Sequence, residues 1–126
     1  MGEVGRIAIL LVDDHLDTLE ILSKLLISEG YEVVCAGTAQ DAIDAAGKNH
    51  FDLVLSDLHM PDMDGLQLMR HMKKEFGMKG IAITASVMDF SLPATLDAGF
   101  SRQLAKPFVL SVLLAAIEDA VGAPLK

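Results

Sequence analysis

Five times along the chain a short apolar, β-branched run gives way to an amphipathic stretch, in units of about 20 to 25 residues. This alternation limits the fold more than any other feature. It implies parallel strands joined by crossover helices, hence one sheet covered on both faces. The first run, Ile7 to Val12, is uninterrupted apolar, as suits a strand buried on both sides. A helical pattern follows Asp13-Asp14, with Ile21, Leu22, Leu25 and Leu26 expected toward the core and Glu29-Gly30 at its end. Tyr31 to Ala36 reads as the second strand. Thr38 is placed to cap a helix carrying Ala42, Ile43, Ala45 and Ala46. Asp52 to Ser56 is the third strand, stopping at Asp57; a helix from about Asp64 holds Leu66, Leu68, Met69 and Met72. Gly80 to Thr84 is the fourth strand, a weaker helix runs to Ala98-Gly99, and Arg102 to Ala105 is a short fifth strand. Pro107 stops that strand, and Phe108 to Val121 is the last helix.

The chain has 126 residues, enough for one domain, and is 52% hydrophobic with only 22% charged residues, unlike a disordered chain. We expect residues 6–121 to form the domain, 1–5 an N-terminal extension and 122–126 a tail. Ten Lys plus Arg against 18 Asp plus Glu leave a net charge of -8. That balance opposes unaided nucleic-acid binding and docking on anionic membranes, both of which need basic surface. No apolar run reaches the roughly 18 residues of a membrane span, and the N-terminus does not resemble a secretory signal. The single cysteine, Cys35, rules out an internal disulfide and makes a cytoplasmic location the default. Cys35 and the pair Met69 and Met72 read as core.

In open parallel sheets the ligand site lies beyond the carboxyl ends of the strands. Those ends carry Asp13-Asp14, Asp57, Thr84 and Lys106-Pro107. Singly, each is an ordinary turn, cap or solvated residue; together on one edge they describe a site. Clustered carboxylates repel and require a cation, and hard oxygen ligands on an open edge suit Mg²⁺. A lysine there adds positive charge for an arriving phosphoryl group. Phosphoryl transfer needs chiefly positioning and charge neutralisation, and an aspartate can accept phosphate covalently.

The sequence resembles the receiver domains of two-component and phosphorelay signalling over about residues 6 to 121. The resemblance is carried by Ile9-Leu-Leu-Val-Asp-Asp14, Leu55-Ser-Asp57-Leu-His-Met-Pro-Asp-Met-Asp-Gly65, Ile83-Thr84-Ala85, Ala98-Gly99 and Lys106-Pro107-Phe108. It implies a flavodoxin-like (βα)5 α/β fold, with a doubly wound parallel five-stranded sheet in the order 2-1-3-4-5. It implies Asp57 as phosphoacceptor and Mg²⁺ held by Asp13, Asp14, Asp57 and the backbone carbonyl of His59. Thr84 and Lys106 would bind phosphoryl oxygens, and the Lys106-Pro107 bond is expected to be cis. The implied partner is a histidine kinase or a histidine phosphotransfer domain, with the domain a monomeric phosphoacceptor rather than an independent enzyme. Where many members carry an aromatic switch residue, this chain has Gln103, which puts aromatic coupling through Thr84 in doubt. Leu16 and Leu19, just past the acidic pair, are candidates for partner docking.

Other readings fare worse. Pro61 to Gly65 has a superficial likeness to a calcium loop, but an EF-hand register would put Met60 and His71 at ligand positions. The segment is better read as a turn and helix cap, with Gly65 supplying a permissive backbone. His15, His50, His59 and His71 show no metal-binding spacing and read as surface residues. An FMN-binding electron carrier would want a phosphate-cradling loop where Asp13-Asp14-His15 stands. A phosphohydrolase with an aspartyl nucleophile would want a second Asp where His59 stands. Within the receiver class the chain is either a stand-alone regulator or a receiver from a hybrid sensor kinase. Gly80 to Thr84 and Ala98 to Pro107 resemble the latter.

Overall fold

The computed structural model describes residues 6–85 and 90–122. The elements run β1 (Ala8–Val12), α1 (Leu16–Ser28), β2 (Glu32–Ala36), α2 (Ala39–Lys48), β3 (Leu53–Asp57), α3 (Gly65–Phe76), β4 (Lys79–Thr84), α4 (Leu92–Ala98), β5 (Phe100–Ala105) and α5 (Leu110–Val121). All strand pairs are parallel, in the order β2-β1-β3-β4-β5. The fold class and strand order are those the resemblance implies. The proposed extension 1–5 and residues 123–126 of the tail lie outside the described residues.

Alternation along the strands divides the core between two faces. Ile9 and Leu11 of β1, Leu53 and Leu55 of β3, and Ile81 and Ile83 of β4 meet Leu19, Leu22 and Leu26 of α1 and Leu113, Ala116 and Ile117 of α5. Leu10, Val12, Val54 and Ala82 point the other way, toward Ala39, Ala42 and Ala46 of α2, Leu68, Met69 and Met72 of α3, and Ala98 of α4. Both caps read from the sequence are made: the Thr38 hydroxyl accepts from the Asp41 N–H, and the Asp64 carboxylate from the Gln67 N–H.

The structure corrects several expectations. The buried stripe of α1 is Leu19, Leu22 and Leu26, whereas Ile21 and Leu25 are exposed. The sheet-facing arc is narrower than the apolar content suggests, and the two extra residues lie on its outer flank. Cys35 is exposed, not core, because β2 is an edge strand whose burial is confined mainly to Ala36. Ile43 and Ala45 of α2 and Leu66 of α3 are only partly buried. The strand at Phe100 starts two residues before the expected Arg102. Gly65 has no positive φ. It is required by close approach instead: a Cβ there would stand 2.6 Å from the Asp57 carbonyl oxygen and 2.8 Å from Leu58 Cα. Helix α3 thus begins in backbone contact with the end of β3.

Candidate functional site

The central strands β1, β3 and β4 and the edge strand β5 deliver their last residues to one cleft. Asp57 is the final residue of β3 and pairs in register with Ile83, so it stands beside Thr84 at the end of β4. Thr84 pairs with Ala105, and its carbonyl accepts the Lys106 N–H at 2.8 Å. That bond ties the lysine's backbone to the sheet edge, and the following Lys106-Pro107 peptide is cis, as expected. Asp13 leaves β1 with its N–H donated to the Ala36 carbonyl at 3.2 Å. Backbone pairing therefore sets all four positions before any side chain acts.

Lys106 Nζ donates to Asp13 Oδ2 at 2.8 Å and lies 3.5 Å from Asp57 Oδ2. Asp13, Asp57 and Thr84 are buried, Asp14 is exposed, and the Lys106 side chain is 22% exposed. Asp57 Oδ1 accepts the His59 N–H at 3.2 Å, closing the turn after β3. Burial pushes the Asp13 carboxyl upward. The Lys106 hydrogen bond and charge, with the His15 backbone and ring, outweigh this and leave it below the ordinary 3.8. Burial likewise opposes the Lys106 charge, but Asp13 and Asp57 raise its pKa above 10.5. One lysine cation therefore faces two buried carboxylates and offsets the charge of only one.

Three features of the cleft go beyond the sequence reading. His15, expected as a plain surface residue, donates its N–H to Asp13 Oδ1 at 2.9 Å, and its Nδ1 lies 3.2 Å from Oδ1 of both Asp13 and Asp14. The His59 ring meets Phe90 edge-on at 4.9 Å beside the site. The Asp62 carboxylate accepts the N–H groups of Ala39 and Gln40 at 3.1 and 3.0 Å. It holds the loop after β3 against the start of α2, and those bonds keep its carboxyl below the ordinary value. A free-standing Asp in a Pro-Asp turn gave no sign of this long-range cap.

The two docking candidates part company. Leu16 is 74% exposed, while Leu19 is 6% exposed and packs in the core with Leu22 and Leu26. The Leu19 assignment is corrected: its position on α1 points it at the sheet. Further along α1 a groove is lined by Asp17, Thr18, Ile21, Leu22, Leu25 and Phe108. Gln103 is partly buried, on the strand that pairs with β4, and its Oε1 is buried without a hydrogen-bond partner among the described residues.

Asp13, Asp14, His15 and Asp57 each offer a ligating atom, all within 4.8 Å of one another. Carboxylate oxygens at that spacing fit a hard divalent cation, the Mg²⁺ class above all. No other such cluster occurs among the described residues. Nor does any helix there have the length and apolarity to cross a membrane.

A doubly wound sheet that gathers acids, a lysine and a threonine at its carboxyl edge defines a switch-point domain built for a cation and a phosphoryl group. The chain belongs to the response regulator receiver domain family, whose model matches residues 9–118, and is thus a receiver domain of two-component phosphorelay signalling. It is 32% identical over 94% of its length to the sensory/regulatory protein RpfC of Xanthomonas campestris pv. campestris. It is 36% identical over 83% of its length to the sensor histidine kinase RcsC of Escherichia coli strain K12. The chain spans only 17% and 11% of those two proteins. A CheY-like receiver from Methanospirillum hungatei JF-1 superposes with a TM-score of 0.84 at 33% identity, covering 94% of this chain and 95% of that one. The receiver domain of sensor histidine kinase PA1611 from Pseudomonas aeruginosa PAO1, solved with a magnesium ion coordinated in its active site cleft, also superposes at 0.84. It is 27% identical, with 94% of this chain and all of that one covered.

Proposed function

We propose that Asp57 accepts a phosphoryl group from a partner's phosphohistidine and later releases it to water or to another histidine. The observation that carries this reading is the meeting of Lys106 with the carboxylates of Asp13 and Asp57 at 2.8 and 3.5 Å. In the forward step an Asp57 carboxylate oxygen attacks phosphorus, the P–N bond to the imidazole breaks, and the departing nitrogen keeps the electron pair. Lys106 pairs with one phosphoryl oxygen, and the Thr84 hydroxyl donates to another. Asp13 orients the lysine while it waits. Asp13, Asp14, Asp57 and the His59 carbonyl are assigned to hold Mg²⁺, which when bound neutralises charge developing on the phosphoryl oxygens.

The domain acts as a phosphoacceptor in a relay and not as an independent enzyme, and its partner is a histidine kinase or a histidine phosphotransfer domain. Its likeness to RpfC and RcsC, each far longer, supports a receiver belonging to a hybrid sensor kinase. A stand-alone regulator that signals by protein–protein binding is the alternative. We assign the domain to the cytoplasm as a monomer, with the exposed Leu16 at the docking surface. Phosphorylation is tested by incubation with Mg²⁺ and acetyl phosphate followed by intact-mass spectrometry. One added phosphoryl group is expected, none in Asp57→Asn, and none when the metal is chelated. Equal labelling of wild type and variant would refute the reading.

A further inference from the structure

The His15 imidazole stands among the carboxylates of the cleft, and the phosphoryl chemistry does not use it. It is the single imidazole found in a ligating cluster among the described residues, and its side chain is 70% exposed, so a solvent ion can reach it. Asp13 divides its oxygens: Oδ2 takes the lysine, while Oδ1 faces the His15 ring, which also lies 3.2 Å from Asp14 Oδ1. Nδ1 therefore stands among the same carboxylates assigned to Mg²⁺. Imidazole nitrogen adds little for Mg²⁺, which takes oxygen ligands, but much for borderline ions such as Zn²⁺.

We propose that His15 makes this cleft a competing Zn²⁺ site, with Nδ1 joining the carboxylates of Asp13, Asp14 and Asp57, so that zinc and Mg²⁺ exclude one another from it. The inference rests on the reading of the cleft as the metal site. An exposed histidine beside acids is otherwise only a surface ion pair of little energetic weight. What separates the two is a ligand set of three carboxylates and one imidazole, the donor number of a four-coordinate zinc centre.

The test is calorimetry of Zn²⁺ and Mg²⁺ binding to chelator-stripped wild type and His15→Gln, with ¹⁵N spectra of the histidine rings. Removal of a nitrogen ligand should weaken Zn²⁺ by at least about 10-fold. Mg²⁺ affinity should stay within about 2-fold, because its ligands are oxygens. The His15 Nδ1 resonance should shift on addition of one equivalent of Zn²⁺, and excess Mg²⁺ should reverse the shift. Equal Zn²⁺ affinities in the two proteins, or a shift confined to His50, His59 or His71, would overturn the proposal while leaving the Mg²⁺ site standing. Failure of the wild type to bind Mg²⁺ at all would instead refute the reading on which it rests.

Discussion

Lys106→Ala should weaken the metal-free protein yet tighten its hold on Mg²⁺. Lysine Nζ sits 2.8 Å from Asp13 Oδ2 and 3.5 Å from Asp57 Oδ2, with the two carboxylate side chains only 5% and 8% exposed. Hydrogen bonds to charged groups contribute about 1.5–3 kcal/mol, and a unit pair at 4 Å attracts by about 4 kcal/mol at an effective dielectric of 20. Against this stand the lysine's desolvation and roughly 2 kcal/mol of rotamer entropy. The net loss in chelator should be about 1–3 kcal/mol, or a melting point lower by roughly 4 °C per kcal/mol. Burial favours neutral Lys106, but Asp13 and Asp57 more than reverse it, so the folded pKa is the higher one. Its contribution is complete below the unfolded value, fades as pH rises through the folded one, and should vanish from the variant's alkaline profile. With the ammonium gone, Mg²⁺ meets two uncompensated carboxylates and one fewer cation. If a third to a half of the lost attraction returns, about 1–2 kcal/mol, Mg²⁺ binds roughly 5- to 30-fold tighter. By linkage the stability gap between variant and wild type narrows by that same amount at saturating Mg²⁺. Thermal melts in chelator and across an Mg²⁺ series measure both. A gap that widens with Mg²⁺, or weaker Mg²⁺ binding by the variant, would refute the idea that lysine and metal answer the same charges.

Gly65→Ala gains up to about 1 kcal/mol of helix propensity but meets the backbone of Asp57 and Leu58, so a net loss of about 1–3 kcal/mol is expected in urea unfolding. Unchanged or increased stability would show that the contact relaxes freely. The Asp62 carboxyl is held low by the Gln40 and Ala39 N–H groups, so its contribution is present above the unfolded value near 3.9 and is lost as pH falls through the lower folded one. Asp62→Asn should flatten stability against pH in that acid window, and an unaltered profile would contradict the cap. Gln103→Met removes a buried acceptor with no partner among the described residues and should leave the melting temperature equal or higher. A fall of several degrees would show that the amide is satisfied in solution. Leu16→Ala should alter stability by less than about 0.5 kcal/mol. It should slow transfer from a phosphohistidine donor without slowing labelling by acetyl phosphate; equal slowing of both would remove Leu16 from the docking surface.

The sheet and its edge were legible because periodicity and strand-end chemistry are local signals. The apolar run Ile7 to Val12 reads as a strand buried on both faces, which holds for Ile9 to Val12, and the aspartates that follow it fall at the carboxyl edge. What escaped depended on position within the sheet or on distant partners. Cys35 lies in a strand as apolar as its neighbours, yet β2 is at the edge and leaves it exposed. Leu16 and Leu19 are three residues apart on one helix, but the turn between the acidic pair and α1 aims only Leu19 at the core. Asp62 acts on α2 from 23 residues away, and His15 reaches the carboxylates by a geometry that residue spacing does not encode. Gly65 reads from the sequence as a conformational glycine; its role is steric, and only the path of α3 past β3 reveals it.

Borohydride reduction of the labelled protein, followed by peptide sequencing in the mass spectrometer, reads the site of the acyl phosphate directly. Hydride converts a phosphorylated aspartate to homoserine and leaves free carboxylates untouched. Homoserine is expected at position 57 alone after treatment with acetyl phosphate and Mg²⁺, and none when chelator replaces the metal. Homoserine at position 13 or 14, or equal conversion at position 57 without a divalent cation, would contradict metal-dependent phosphorylation of Asp57.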